Sequence, residues 1–225
     1  MNEFAGKTYA EALSTVCARY ANRKALIFKG KLYCFTDVKR EIDNASRRLA
    51  LLGLRRGDKI SIWMPNCPDF IFIWMGAAQI GLVAVLMNTR LRLEEALYQI
   101  QQSDSRAVVV PGAAAYRDFL GDVLSMLPEN TTEKDTGLGG DKLPKLDFII
   151  TTDRDVAMRP GMHHWHDLPY TEDTDIDYET DPASPAQIVY SSGTTALPKG
   201  VMLSHAVWRK AADHGARFYQ TPEDQ

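Results

Sequence analysis

Cysteine is scarce. The chain of 225 residues has three, Cys17, Cys34 and Cys67, widely spaced and with no Cys-x-x-Cys pair. That excludes a disulfide framework and a cysteine-built zinc site, and it suits a reducing compartment. A surplus of one charge is also missing. Lys plus Arg number 26 against 29 Asp plus Glu, a formal net charge of −3, so a general nucleic-acid surface, which needs a basic excess, is not expected. The opening Met1-Asn2-Glu3-Phe4 lacks the basic segment and apolar stretch of a signal peptide, so the expected location is cytoplasmic. No internal repeat is evident. What is present is 45% apolar and 24% charged, the profile of a soluble globular protein long enough to bury a real core.

One apolar run tests that reading. Phe70 to Met87 holds 18 residues with no charge and one polar side chain, Gln79, near the lower limit for a bilayer span. Gly76 and Gly81 interrupt it, and Leu82-Val83-Ala84-Val85-Leu86 has the composition of a buried strand. The expected structure is a buried helix from Pro68 to Ile80, stopped by Gly81, then a central strand, with no transmembrane span.

Hydrophobic spacing supplies the other elements. Leu13, Cys17 and Tyr20, joined by Ala12 and Val16, make Thr8 to Tyr20 an amphipathic helix. Lys24 to Phe28 and Lys31 to Phe35 read as two strands about Lys29-Gly30. Thr36 is the expected N-cap of a helix along Val38, Ile42, Ala45, Leu49 and Leu52, closed by Gly53. Strands are expected at Lys59 to Met64, Ala107 to Val110 and Leu146 to Thr151, and helices at Arg92 to Gln101 and Ala113 to Leu127. Alternating helices and all-apolar strands imply an α/β protein, a mainly parallel sheet covered by helices. Residues 128–144 and 152–185 are polar and read as loop-rich.

Two clusters have bland explanations. His163, His164 and His166 surround Trp165 without cysteine or further histidine nearby, and read as a surface loop. Glu172 to Asp181 carries six acids and no base. Asp173, Asp175 and Asp177 mimic the start of a calcium loop, but Tyr178 replaces its glycine and Ser184 its bidentate glutamate, so a solvated linker is expected.

The chemistry concentrates at Ile188-Val189-Tyr190-Ser191-Ser192-Gly193-Thr194-Thr195-Ala196-Leu197-Pro198-Lys199-Gly200-Val201. An apolar strand runs into four hydroxyl residues about one glycine, then Pro-Lys-Gly. A phosphate chain needs backbone amides, hydroxyls and an ammonium close together. This loop has all three. Lys199 precedes Gly200, so the pattern is not a Walker A loop. Val201-Met202-Leu203 reads as a strand and Ser204 as the N-cap of a helix beginning near His205.

Tyr190 to Val201, with Leu203-Ser204-His205 behind it, closely resembles the phosphate-binding loop of the adenylate-forming (AMP-binding) enzymes. These include acyl- and aryl-CoA synthetases, adenylation domains of peptide synthetases and luciferase-like proteins. Leu32 to Asp37, Gly57-Asp58-Lys59, Asn66 to Asp69, Gly76 to Gly81 and Asn88 to Leu91 are similar to earlier family segments in order and spacing. The resemblance implies that Ser191, Ser192, Gly193, Thr194, Thr195 and Lys199 hold the β- and γ-phosphates of ATP, with Thr194 or Thr195 helping to place Mg2+. The family usually has glycine at the place of Ala196. If that backbone is left-handed, alanine costs on the order of 1 kcal/mol.

The implied reaction joins a carboxylic acid to ATP as an acyl-adenylate, then passes the acyl group to coenzyme A. The family's Tyr-Gly-x-Thr-Glu segment, ribose-binding Asp and catalytic Lys do not occur in these residues. No catalytic residue is therefore assigned, and the resemblance implies that the expected ones lie beyond Gln225. Thr221-Pro222-Glu223-Asp224 resembles the lead-in to the next family motif. The resemblance thus implies that residues 1–225 are the N-terminal part of the large AMP-binding domain, without its remainder or the small lid domain. Such a chain is expected to be inactive alone. An adenylation domain loading a carrier protein is one alternative. Another is a short non-catalytic protein that binds nucleotide, or a partner through an exposed sheet edge.

Overall fold

The computed structural model describes residue 4 and residues 6–111, 113–114, 116–128, 138–179, 181–191, 197–207 and 210. In chain order the elements are α1 (Tyr9–Tyr20), β1 (Lys24–Phe28), β2 (Lys31–Cys34), α2 (Phe35–Leu51), β3 (Lys59–Ile62), α3 (Pro68–Gln79), β4 (Val83–Leu86) and α4 (Leu93–Gln102). They continue with β5 (Ser105–Val110), β6 (Ala113–Ala114), β7 (Arg117–Asp118), α5 (Phe119–Met126), β8 (Phe148–Thr151), β9 (Met162–His164), β10 (Pro185–Ser191) and β11 (Lys199–Ser204).

Seven strands form one sheet in the order β11-β10-β4-β3-β5-β8-β9. Every neighbouring pair is parallel except β10 with β11, which is antiparallel. The apolar runs explain this architecture, because each strand sends alternate side chains to opposite faces. Ala107 and Val109 of β5 join Ile42, Leu49 and Ile73 of α2 and α3. Val108 and Val110 join Ala96, Ile100, Phe119 and Val123 of α4 and α5 on the other face.

The run 70–87 divides as its glycine implies. Pro68 is at N1 of α3, Ile80 is the C-cap, and Gly81 turns the chain at φ +75° into β4. Among the described residues no helix is long and apolar enough to cross a membrane. Helices α2 and α3 pack unusually closely at Gly76. A Cβ there would lie 2.7 Å from the Ala45 Cβ, and Ser46 Oγ donates to the Gly76 carbonyl at 2.9 Å. Gly53 closes α2 at φ +102°, which side chains rarely adopt.

Four expectations are corrected. Helix α2 starts at Phe35 rather than after Thr36: Cys34 is the N-cap, and its N–H donates to Asp37 Oδ2 at 3.0 Å. The expected helix from Ala113 to Leu127 is a short β6–β7 hairpin followed by α5, because the Asp118 carboxylate caps it by accepting the Gly121 N–H at 2.8 Å. The histidine cluster is not a surface loop. Met162 to His164 form edge strand β9, parallel to β8, and His164 is buried. Nor is the acidic stretch simply solvated. Ile176 enters the core, and Glu179, only 4% exposed, pairs with Arg56 while its N–H donates to the Gln79 carbonyl at 2.9 Å. Burial pushes the Glu179 carboxyl up, but the Asp181 N–H and the Arg56 guanidinium outweigh it and hold it below the ordinary range.

Candidate functional site

The hydroxyl-rich loop joins β10 to β11. Ser191 ends β10, Lys199 begins β11, and the two are cross-strand partners. Opposed residues of an antiparallel pair put their side chains on one face, with Cβ atoms roughly 5 Å apart. The structure thus brings Ser191 and Lys199, both exposed, to the mouth of the loop. Ser192, Gly193, Thr194 and Thr195, with Ala196, lie outside the described residues. So do Thr221 to Asp224 and Gln225, the position beyond which the resemblance puts the catalytic groups.

The mouth sits at the carboxyl end of β10, which runs parallel to β4 and the strands beyond it. In open α/β sheets that end is where ligands bind. The loop-side end of β11 and the residue before it are open to solvent: Leu197 is 57%, Val201 46% and Met202 56% exposed. β11 is the edge of the sheet, so β10 alone anchors it among the described strands.

Helix α4 braces the site from beneath. Tyr98 OH donates to the carbonyl of Pro198 at 3.2 Å, immediately before Lys199. Tyr190 OH donates to the Gln99 carbonyl at 3.2 Å and also contacts Gln102 Oε1. The two tyrosine rings meet edge to face, 6.5 Å between centroids. Burial, and then the neighbouring Tyr98, pushes the Tyr190 phenol up to about 12, so it stays a donor at neutral pH. Sequence spacing does not announce Tyr98: the contact joins residues 100 apart. Its faint trace is a polar-tipped aromatic on the half-buried flank of α4.

After β11 the chain turns into a helical turn at 205–207, as its Ser204 implies: Ser204 Oγ accepts the Val207 N–H at 3.4 Å. His205, however, is wholly buried. Its Nδ1 accepts the N–H of Tyr9, the first residue of α1, at 3.2 Å.

The histidine cluster lies across the sheet, at its β9 edge. His166 Nε2 faces Asp69 Oδ2 at 3.4 Å and His164 Nδ1 faces Asp167 Oδ2 at 3.3 Å. His166 and Asp69 line a cleft of about 390 Å³ with Lys31, Glu41 and Arg48. The cleft's charges are of both signs, and it stands apart from the loop. Among the described residues no group of three or more His, Cys, Asp or Glu is placed to hold a metal.

The profile of the AMP-binding enzyme family matches residues 13–224. Similar curated proteins include the mitochondrial medium-chain acyl-CoA ligase ACSF2 of Danio rerio, 28% identical across 88% of this chain and 34% of that protein. A crotonobetaine/carnitine–CoA ligase of Salmonella arizonae is 30% identical across 83% of this chain and 34% of its own. Among solved structures, the anthranilate CoA ligase AuaEII in complex with anthranoyl-AMP superposes with a TM-score of 0.75 at 22% identity, over 92% of this chain and 36% of that one. Mycobacterium smegmatis MbtA gives 0.73 at 22% identity, over 94% and 36%. These structural likenesses establish the fold. The chain spans 34% to 40% of the length of the curated relatives it matches. With the profile covering all but its ends, the chain belongs to the AMP-binding enzyme family.

Proposed function

We propose that the 191–199 loop receives the β- and γ-phosphates of Mg·ATP in an AMP-forming acid–thiol ligase, with this chain forming the N-terminal part of its large domain. The observation that carries this reading is the pairing of Ser191 with Lys199 across the loop mouth at the carboxyl end of β10. Lys199 supplies the ammonium that neutralises the phosphate charge, and Ser191 a hydroxyl donor. Ser192, Gly193, Thr194 and Thr195 supply further donors in this reading, and Thr194 or Thr195 a ligand for Mg2+. The catalytic groups of the whole enzyme follow Gln225 in the same reading. The reaction class is supported by the relatives, whose names make them a medium-chain acyl-CoA ligase and a crotonobetaine/carnitine–CoA ligase. The carboxylic acid would take the adenylyl group of ATP, releasing pyrophosphate, and coenzyme A would then take the acyl group. Positioning and charge neutralisation are the protein's main contributions to such a step. Three free thiols suit a cytoplasmic setting.

The test is titration calorimetry of Mg·ATP with the chain and with Lys199→Ala. A charge-assisted bond contributes about 1.5–3 kcal/mol, so the variant should bind about ten- to hundredfold more weakly. Equal affinity of the two proteins would refute the assignment. Carboxylate-dependent pyrophosphate exchange should be absent from the 225-residue chain, since it contains no Tyr-Gly-x-Thr-Glu segment.

A further inference from the structure

We propose that His205 is a positioning residue for the phosphate loop: as a neutral imidazole it fastens the far end of β11 to the first turn of α1, and protonation releases that end. The role in nucleotide binding rests on the phosphate reading of the 191–199 loop.

Strand β11 needs outside support because it is the sheet edge, with β10 on one side only among the described strands. Its loop end is held by the Tyr98 hydroxyl at Pro198. Its other end is held by His205. The His205 N–H donates to the Ser184 carbonyl at 3.2 Å, and the Ala206 N–H to the Pro182 carbonyl at 2.9 Å. The side chain adds a link across 196 residues, accepting the Tyr9 N–H on Nδ1. Its ring also stands edge-on to the Tyr9 ring, with centroids 4.5 Å apart.

The Tyr9 N–H is one of the amides at a helix start that have no partner within the helix. Thr8 and Glu11 form a capping box around it, with the Thr8 N–H donating to Glu11 Oε2 at 2.7 Å. His205 completes that set. Nδ1 can accept only when it carries no proton, so the imidazole is the tautomer protonated on Nε2. An imidazolium would present an N–H to an N–H. The contact would then be lost.

The charged groups around the ring are Glu11 on α1 and Glu179 and Asp181 on the segment before β10. All three favour protonation, but burial outweighs them and sets the pKa below the ordinary histidine value. The folded latch therefore holds fewer protons than the open chain. It is intact above about pH 6.5, the ordinary histidine value, and weakens as pH falls below it. That end then keeps its backbone bonds to Ser184 and Pro182 but loses its tie to α1, and the register that sets Lys199 opposite Ser191 is held less firmly.

The experiment compares the 225-residue chain with His205→Asn and His205→Phe. Asparagine Oδ1 can replace Nδ1 as acceptor but does not titrate, whereas phenylalanine removes the acceptor. Two quantities are read from about pH 7.5 down to about pH 5, because burial places this imidazole below the ordinary histidine value: the exchange protection of the Tyr9 amide by NMR, and Mg·ATP affinity by calorimetry. The parent chain should lose Tyr9 protection and several-fold in affinity on acidification, beyond any loss in His205→Asn. His205→Phe should behave at neutral pH like the acidified parent. Matching pH profiles in the parent and His205→Asn overturn the proposal, and that comparison stands even if His205→Phe fails to fold. Tyr9 protection that responds to pH while affinity does not also overturns the coupling to the loop. A failure of the phosphate reading looks different: Lys199→Ala then binds Mg·ATP as the parent does at neutral pH.

Discussion

Replacing Gly76 by alanine sets two effects of opposite sign against each other. Alanine is the better helix former, and in an exposed helix the change would stabilise by about 1 kcal/mol. Gly76 is not exposed. The added methyl would lie 2.7 Å from Ala45 Cβ and 3.0 Å from both the Ile42 carbonyl oxygen and the Ser46 nitrogen. Two of those atoms are backbone, so α2 as a whole must move. Overpacking of this kind costs about 1–3 kcal/mol. The bond from Ser46 Oγ to the Gly76 carbonyl, 2.9 Å and buried, would stretch with it, adding about 1 kcal/mol. The sum favours destabilisation by about 1–3 kcal/mol, which for a chain of this length lowers Tm by roughly 2–12 °C. Thermal and urea melts followed by circular dichroism measure it. A Gly76→Ala melting temperature equal to or above the parent's would refute the reasoning, because propensity would then outweigh the close approach of α2 and α3.

Two further outcomes follow from the site and its supports. Tyr98→Phe removes the hydroxyl that holds the Pro198 carbonyl. A net hydrogen bond is worth about 0.5–1.5 kcal/mol, so Mg·ATP affinity should fall about two- to tenfold with little change in Tm, and calorimetry showing a larger loss of fold than of affinity would contradict a local bracing role. Glu179→Gln addresses acid stability. The folded carboxyl lies below its ordinary range, so it stabilises the protein above that range and the benefit is lost as pH falls through the folded value. The parent's stability advantage over Glu179→Gln should therefore shrink below about pH 4.3, the ordinary glutamate value, in urea melts taken across the acid limb, and a constant gap would contradict it.

Helix α2 was legible because Val38, Ile42, Ala45 and Leu49 repeat at helical spacing and all reach the core, with Gly53 where a left-handed cap belongs. The division of 70–87 into α3 and β4 was legible from Pro68 and Gly81. Strand β9 was not, since Met162-His163-His164 has no apolar run and becomes a strand by pairing with β8. The start of α5 was hidden too, because the Asp118 carboxylate rather than apolar periodicity fixes it.

The order of hydroxyls, glycine and Lys199 in one short loop is written in the chain itself, and the proposed phosphate role needs those groups as near neighbours. So is the α/β class, since strands buried on both faces must be apolar throughout. The supports of the loop belong to the tertiary structure alone. Tyr98 meets Pro198 across 100 positions and His205 meets Tyr9 across 196. No local spacing encodes such pairs; they exist because the sheet order places β11 between α4 at one end and α1 at the other.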